Sequence, residues 1–226
     1  MDVVAASSLP NNKIMWYEND GSQYFNHHII SDSAHEARSI SAADINGDGY
    51  MDVLSGHNNI AWYEYDGSES FNTHTVATSG VSSVCAVDVD GDGDMDVVGS
   101  SAGSVGWYEN DGSDNFTTNT VSTSGSSSVH AVDLDGDGDM DVVGSSTGSV
   151  GWYENDGSGN FANHTICNHY WHRGFRSVYA LDVDRDGDMD VVAASSLPNN
   201  KIMWYENDGS QYFNHHIISD LSLIHI

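Results

Sequence analysis

Asp88-Val-Asp90-Gly-Asp92-Gly-Asp94-Met-Asp96-Val-Val-Gly99 is a nine-residue acidic loop running straight into a short β-branched stretch, and it occurs four times. The other copies are Asp44-Ile-Asn46-Gly-Asp48-Gly-Tyr50-Met-Asp52, Asp133-Leu-Asp135-Gly-Asp137-Gly-Asp139-Met-Asp141 and Asp182-Val-Asp184-Arg-Asp186-Gly-Asp188-Met-Asp190. Oxygen-bearing side chains at positions 1, 3, 5 and 9, with a backbone carbonyl from position 7, are what a tight loop needs to surround a hard cation. Glycine at position 6 (Gly49, Gly93, Gly138, Gly187) permits the reversal that brings both halves of the loop onto one ion. The apolar second position (Ile45, Val89, Leu134, Val183) is expected to point away and anchor the loop in the core.

Three other readings of the loop fare worse. A merely solvated turn would hold as many as five acids in nine residues with no counter-ion. An EF-hand requires a bidentate Glu at position 12, where this chain has Ser55, Gly99, Gly144 and Ala193, and it requires helical flanks. Zinc or copper would call for Cys or His, and the loops contain neither. An all-protein oxygen cage suits calcium better than the smaller, strictly octahedral magnesium. About four structural Ca2+ ions are therefore expected, with stability depending on them.

Charge supports this assignment. The chain has 226 residues, with 34 acidic against 6 basic side chains and a formal charge of −28. The loops hold three acids in the first copy and five in each of the others, more than half of the 34. So acidic a chain does not bind nucleic acid by neutralising phosphates. No apolar run reaches the roughly 18 residues of a membrane span, so no membrane insertion is expected. At 38% hydrophobic and 10% aromatic residues, there is enough material for a core.

Outward from the loops, the sequence repeats. Met-Asp-Val-(Val/Leu) starts at Met1, Met51, Met95, Met140 and Met189, at spacings of 50, 44, 45 and 49 residues. Each copy is followed by Trp-Tyr-Glu (at Trp16, Trp62, Trp107, Trp152 and Trp204), then Asp-Gly-Ser and a Phe. About 45 residues is the length of one four-stranded propeller blade. Within one unit, 83–88, 95–99, 104–109 and 115–121 read as strands bounded by Gly, Asn, Asp and Ser. No sustained 3.6-residue period appears. The expected fold is all-β: a β-propeller of four-stranded blades forming one domain over residues 1–220. It comprises a partial blade at 1–32 and blades at about 38–78, 82–122, 127–168 and 176–220.

These units resemble FG-GAP or VCBS-type repeats, the calcium-loop blades of integrin-α-like propellers. The loops carry that family's Asp-x-Asp-x-Asp-Gly-x-x-Asp pattern, and Trp-Tyr-Glu-Asn-Asp-Gly-Ser-x-x-Phe is similar to the end of the VCBS-type repeat. The resemblance spans nearly the whole chain. It implies calcium loops on one face and an extracellular or cell-surface setting.

The repeats differ from one another mainly in the connections on the face opposite the loops. The longest contains His169, Tyr170, Trp171, His172 and Arg173, which form a candidate patch for a protein or glycan ligand. The competing reading is a loop that packs its own aromatic rings. The five repeated tryptophans read as blade-to-blade packing and Cys85 as an inner-strand filler. His27-His28 and His215-His216 read as outer-strand residues rather than zinc ligands. Asn115 and Asn163 head N-glycosylation patterns.

Residues 1–32 are identical to 189–220, and 221–226 depart from the repeat. The chain is thus either a fragment, an incomplete ring with a foreign tail, or a five-bladed ring closed by that tail. Function reads as extracellular adhesion or recognition, without turnover. The rival is a propeller-based carbohydrate lyase or hydrolase, which would need two carboxylates free of metal duty across a cleft. The repeated Glu109, Glu154 and Glu206 suit scaffold better, and no nucleophile elbow or His-Glu-x-x-His pair is present.

Overall fold

Val, Ile, Ala and Trp-Tyr runs of five to eight residues, punctuated by Asn-Asp-Gly and Ser-Gly turns, fold as β-strands. The computed structural model describes residues 1–7, 12–22, 24–168, 174–196 and 200–220. Its strands form one three-stranded and four four-stranded antiparallel sheets, and within every sheet neighbours in space are neighbours in sequence. The first sheet contains β1 (Val3–Ser7), β2 (Lys13–Asn19) and β3 (Phe25–Ser31). The second holds β4 (Ser39–Ala43), β5 (Asp52–Gly56), β6 (Ile60–Tyr65) and β7 (Phe71–Ala77). The third has β8 (Ser83–Val87), β9 (Asp96–Ser100), β10 (Val105–Asn110) and β11 (Phe116–Ser122). The fourth runs β12 (Ser128–Val132), β13 (Asp141–Ser145), β14 (Ser149–Asn155) and β15 (Phe161–Asn168). The fifth is β16 (Phe175–Leu181), β17 (Asp190–Ser195), β18 (Lys201–Asn207) and β19 (Phe213–Asp220). No helix occurs among the described residues.

The first strands pack in series, β4 on β8, β8 on β12 and β12 on β16, giving a propeller-like array. A serine at or near the head of β4, β8 and β12 ties each to the next. Ser39 Oγ accepts from Val84 N at 3.0 Å, Ser83 Oγ from Val129 N at 3.2 Å, and Ser128 Oγ from Val178 N at 3.4 Å. All five sheets also slip register by one residue between their last two strands, at 14/15, 60/61, 105/106, 150/151 and 202/203. A bulge repeated at one place adds the same local twist to every sheet.

The core lies between sheets rather than within one. Ile45, Leu54, Ile60 and Trp62 of the second sheet pack with Val84, Val97 and Tyr108 of the third. Trp107 sits among Val98, Val129, Val142 and Tyr153, and Trp152 among Phe175, Val178, Val191 and Tyr205. Burying a large apolar side chain contributes about 1.5–3 kcal/mol, so each sheet is stabilised mainly by its neighbours. Both cysteines are free; Cys85 packs on the edge of one such cluster, and buried Cys167 accepts a hydrogen bond from Tyr205 Oη at 3.1 Å.

Packing leaves little slack where connections cross. Gly125, between β11 and β12, lies so close to the backbone of Ala102 that a Cβ would overlap it, whereas Gly103 faces open space. Gly125→Ala should lose at least ~2 kcal/mol in a denaturant titration and Gly103→Ala less than ~0.5 kcal/mol.

Candidate metal centre

Each acidic loop joins the first strand of a sheet to the second, and its ninth residue opens the buried second strand. Asp52, Asp96, Asp141 and Asp190 are completely inaccessible to solvent. One carboxylate oxygen of each accepts from the backbone N–H of loop position 2: Ile45 at 3.1 Å, Val89 and Leu134 at 3.0 Å, and Val183 at 2.9 Å. The other oxygen accepts from the third strand: Tyr65 N at 2.8 Å, Asn110 N at 2.7 Å, and Asn155 and Asn207 N at 2.8 Å. Indole N–H groups of Trp62, Trp107 and Trp152 approach the first three of these carboxylates closely enough to oppose their pKa shift, yet none reaches hydrogen-bond geometry.

The first loop position organises the rest. Asp88 accepts from Gly91 N at 2.8 Å and Gly93 N at 3.0 Å, Asp133 from Gly136 N at 2.8 Å and Gly138 N at 3.1 Å. Asp44 holds Asp48 N at 3.0 Å and Gly49 N at 2.9 Å, while Asp182 holds Arg185 N at 2.6 Å and Gly187 N at 3.2 Å. Position 5 turns back on position 7: the carboxylates of Asp48, Asp92, Asp137 and Asp186 accept from the N–H groups of Tyr50, Asp94, Asp139 and Asp188 at 2.8–3.0 Å. The side chains at position 7 lie over the glycine of the following Asp-Gly-Ser turn (Tyr50 on Gly67, Asp94 on Gly112, Asp139 on Gly157, Asp188 on Gly209).

This folding brings positions 1, 3 and 9 together. One oxygen from each of Asp88, Asp90 and Asp96 lies within 4.8 Å of the others, as it does for Asp133, Asp135, Asp141 and for Asp182, Asp184, Asp190. Oxygens bound at 2.3–2.6 Å to one Ca2+ can be at most about 5 Å apart, so the spacing within the three clusters is compatible with a hard divalent cation. In the first loop position 3 is Asn46, whose amide oxygen accepts from Asp48 N at 3.2 Å.

The glutamate of Trp-Tyr-Glu, read from sequence as scaffold, lies beside loop position 3. Glu64 Oε1 accepts from Asn46 Nδ2 at 3.3 Å. In the other sheets Glu109, Glu154 and Glu206 face Asp90, Asp135 and Asp184, whose pKa values are raised by burial and by the surrounding carboxylates. The second oxygen of each glutamate is tied to the outer strand: His74 at 2.9 Å, Asn119 at 3.0 Å, and His164 and His216 at 2.6 Å. The same histidines stack on the repeated tryptophans at centroid distances of 4.4–4.6 Å, and His28 stacks on Trp16. The outer-strand His pairs are thus divided, one ring of each clamped between Trp and Glu.

Asparagine at the end of the third strand was legible only as turn chemistry. Asn110 Nδ2 donates across to Ile45 O of the preceding sheet's loop at 3.2 Å, Asn155 to Val89 O at 2.8 Å and Asn207 to Leu134 O at 3.2 Å. Each also donates to its own loop, at Met95 O, Met140 O and Met189 O. One amide therefore latches two consecutive acidic loops together. The expected anchoring of position 2 holds for Ile45, Val89 and Leu134, each 2% exposed, but not for Val183, which is 38% exposed; among the described residues no asparagine of another sheet reaches its loop. The candidate ligand patch His169–Arg173 lies outside the described residues.

A family model described as the FG-GAP-like repeat matches residues 1–55, 53–99, 88–144 and 133–193. No curated protein matches the chain in sequence. Among solved structures, an Agrocybe aegerita lectin, studied for specific recognition of non-reducing terminal N-acetylglucosamine, superposes with TM-score 0.66 at 18% identity, over 97% of this chain and 66% of that one. AofleA from Arthrobotrys oligospora gives TM-score 0.59 at 13% identity, covering 96% of this chain and 68% of its own. The V. cholerae biofilm matrix protein Bap1 gives 0.54 at 16%, covering 94% and 38%. The chain thus spans about two thirds or less of the length of these structures, and at such identities the likeness is one of fold.

Two outcomes follow from the centre. Asn155→Ala strips the buried carbonyl of Val89 and the half-buried carbonyl of Met140 of a donor and should cost ~2 kcal/mol in a denaturant titration. Burial, only partly offset by backbone N–H donors, raises the carboxyls of Asp96 and Asp141 from 3.8 to about 6. A carboxyl raised in the fold favours the fold when protonated, so chelator-treated protein should lose Tm as pH rises from about 4 to about 6. Excess calcium, which binds the ionised form, should abolish that decline.

Proposed function

Because this chain belongs to the FG-GAP-like repeat family, with matches running from residue 1 to 193, we propose that it is a calcium-stabilised recognition module working at or outside the cell surface. The carrying observation is the set of three-carboxylate clusters on preformed loops, those at Asp88 and Asp133 being latched to the next sheet. Calcium bound at positions 1, 3 and 9 supplies charge neutralisation, and the chain's own residues do the rest. The ninth Asp fixes the loop to the second strand, and Asn carries that order to the neighbouring sheet. The sheets then act as blades of a propeller that presents its ligand-binding surfaces rigidly. Millimolar calcium outside cells suits sites of this kind, which in extracellular modules bind at about 10⁻⁴–10⁻³ M. Among the described residues no helix is long and apolar enough to cross a membrane.

A glycan is the favoured ligand, with a protein as the second choice. The fold likeness to an N-acetylglucosamine-recognising lectin over 97% of the chain supports the glycan. Binding without turnover is the reading of the carboxylates: those facing the loops recur in every four-stranded sheet and are spoken for by loop N–H groups, His or Asn. A glycosidase or lyase would need a pair placed once.

Saturating calcium should raise Tm over chelator by roughly 20 °C or more, since four sites each filled at ~100 Kd add about 11 kcal/mol. Magnesium should give a much smaller rise. An unchanged Tm would remove the metal assignment. The calcium-loaded protein should retain glycans on an array without cleaving them; release of reducing ends would instead establish the enzyme.

A further inference from the structure

The residue three places ahead of the first core valine of each first strand changes from sheet to sheet: Val81 in the third, Ser126 in the fourth and Phe175 in the fifth. In the third sheet Val81 closes over Gly99 beside the Tyr108 ring, whose hydroxyl pairs with Ser79 Oγ at 3.1 Å. In the fifth, fully buried Phe175 and Met203 pack together, and Tyr205 Oη donates to Cys167 Sγ. The fourth sheet has Ser126, Gly144 and Gly151 at these places. A pocket of about 140 Å³ opens there, bounded by the β11–β12 connection and the β13–β14 turn, at the end of the sheet away from the acidic loop. The third and fourth sheets that enclose it each have a neighbour on either side.

Hydroxyls line this pocket, and two of them are unspent. Ser126 is 3% and Tyr153 5% exposed, and among the described residues neither hydroxyl has a hydrogen-bond partner. Ser124, the counterpart of Ser79, has its N–H held by Ser122 Oγ at 3.0 Å and leaves Tyr153 unpaired. Ser146 and Ser149 pair with each other at 2.7 Å, and exposed Thr165 marks the mouth. A buried hydroxyl without a partner disfavours the fold, so both groups are poised for a partner from outside. No charged side chain lines the walls. Hydroxyls that both donate and accept, with no charge among them, match a neutral polyhydroxy ligand. The pocket is smaller than the roughly 300–1,000 Å³ of clefts for larger ligands, which limits its occupant to a single sugar unit.

We infer that this pocket receives one neutral sugar unit at the end of a glycan, held by the hydroxyls of Ser126 and Tyr153. The inference rests on the recognition reading above and names its site. Ser126→Val installs the residue that the third sheet uses and closes the pocket; Tyr153→Phe removes one hydroxyl and keeps the volume. The protein is produced in bacteria, so that Asn163 at the rim carries no glycan of its own. Wild type and both variants, calcium-loaded, are compared on an array of neutral and anionic glycans, and the best-retained neutral glycan is then titrated. The expected result is at least a tenfold loss of affinity for Ser126→Val and about threefold or more for Tyr153→Phe, with Tm lowered in neither. Unchanged affinity in both variants overturns the pocket and leaves the recognition reading standing. Affinity lost in Ser126→Val alone, together with a lowered Tm, reports disturbed packing and also overturns it, as does retention of anionic glycans only. No glycan retained by wild type defeats the recognition reading and the pocket with it. Tyr153→Phe keeps the comparison available if Ser126→Val does not fold.

Discussion

A fully buried aspartate at the root of each acidic loop is the constraint from which the rest of this structure follows. Placing a carboxylate out of water is costly, and hydrogen-bond donors offset part of that cost. Here two backbone N–H groups, one from the loop and one from the third strand, meet it from opposite sides. That pair of contacts fixes where the loop folds back and where the third strand ends, and so the geometry of the whole hairpin. It also explains why loop and sheet are of one piece: the residue that would touch the cation is the first residue of the most buried strand.

From that point, order passes outward along two routes. One runs through loop position 3 to the glutamate of the third strand, then to a histidine of the outer strand that stacks back on the third strand's tryptophan. It ends in a stacked pair that repeats in four of the five sheets, with Asn119 replacing the histidine in the third. The other passes through position 2, whose side chain is buried in the next sheet's core and whose carbonyl is held by the next sheet's asparagine. Neither route depends on helices, disulfides or a large single core. Many modest contacts, repeated at fixed places, replace them.

The sequence carried the strands and loops because both are local signals. Alternation over five to seven residues, turn residues at fixed offsets and acids at odd loop positions all lie within one unit. In the third sheet, strands expected at 83–88, 95–99, 104–109 and 115–121 are found at Ser83–Val87, Asp96–Ser100, Val105–Asn110 and Phe116–Ser122. What escaped was non-local. Asn110, Asn155 and Asn207 have acceptors 65, 66 and 73 residues upstream, and nothing in Asn-Asp-Gly-Ser distinguishes a turn residue from a latch. The role of Glu64 and its counterparts needed the register of two strand pairs, which brings His74 beside Trp62 and so within reach of Glu64. The exposure of Val183 was hidden for the same reason, since burial at that position belongs to the following sheet.

The inter-sheet contacts have a direction. Serine of one sheet receives an N–H from its successor, and asparagine of the successor reaches back to a carbonyl of its predecessor. The third, fourth and fifth sheets share the asparagine and so dock on their predecessors by the same contacts. In-frame duplication or loss of one such unit would join surfaces that already fit and create no new interface. The 32 residues shared between 1–32 and 189–220 are the kind of trace that copying leaves. The second sheet is the exception: it has Tyr65 where the others have the asparagine, and would break the series if moved.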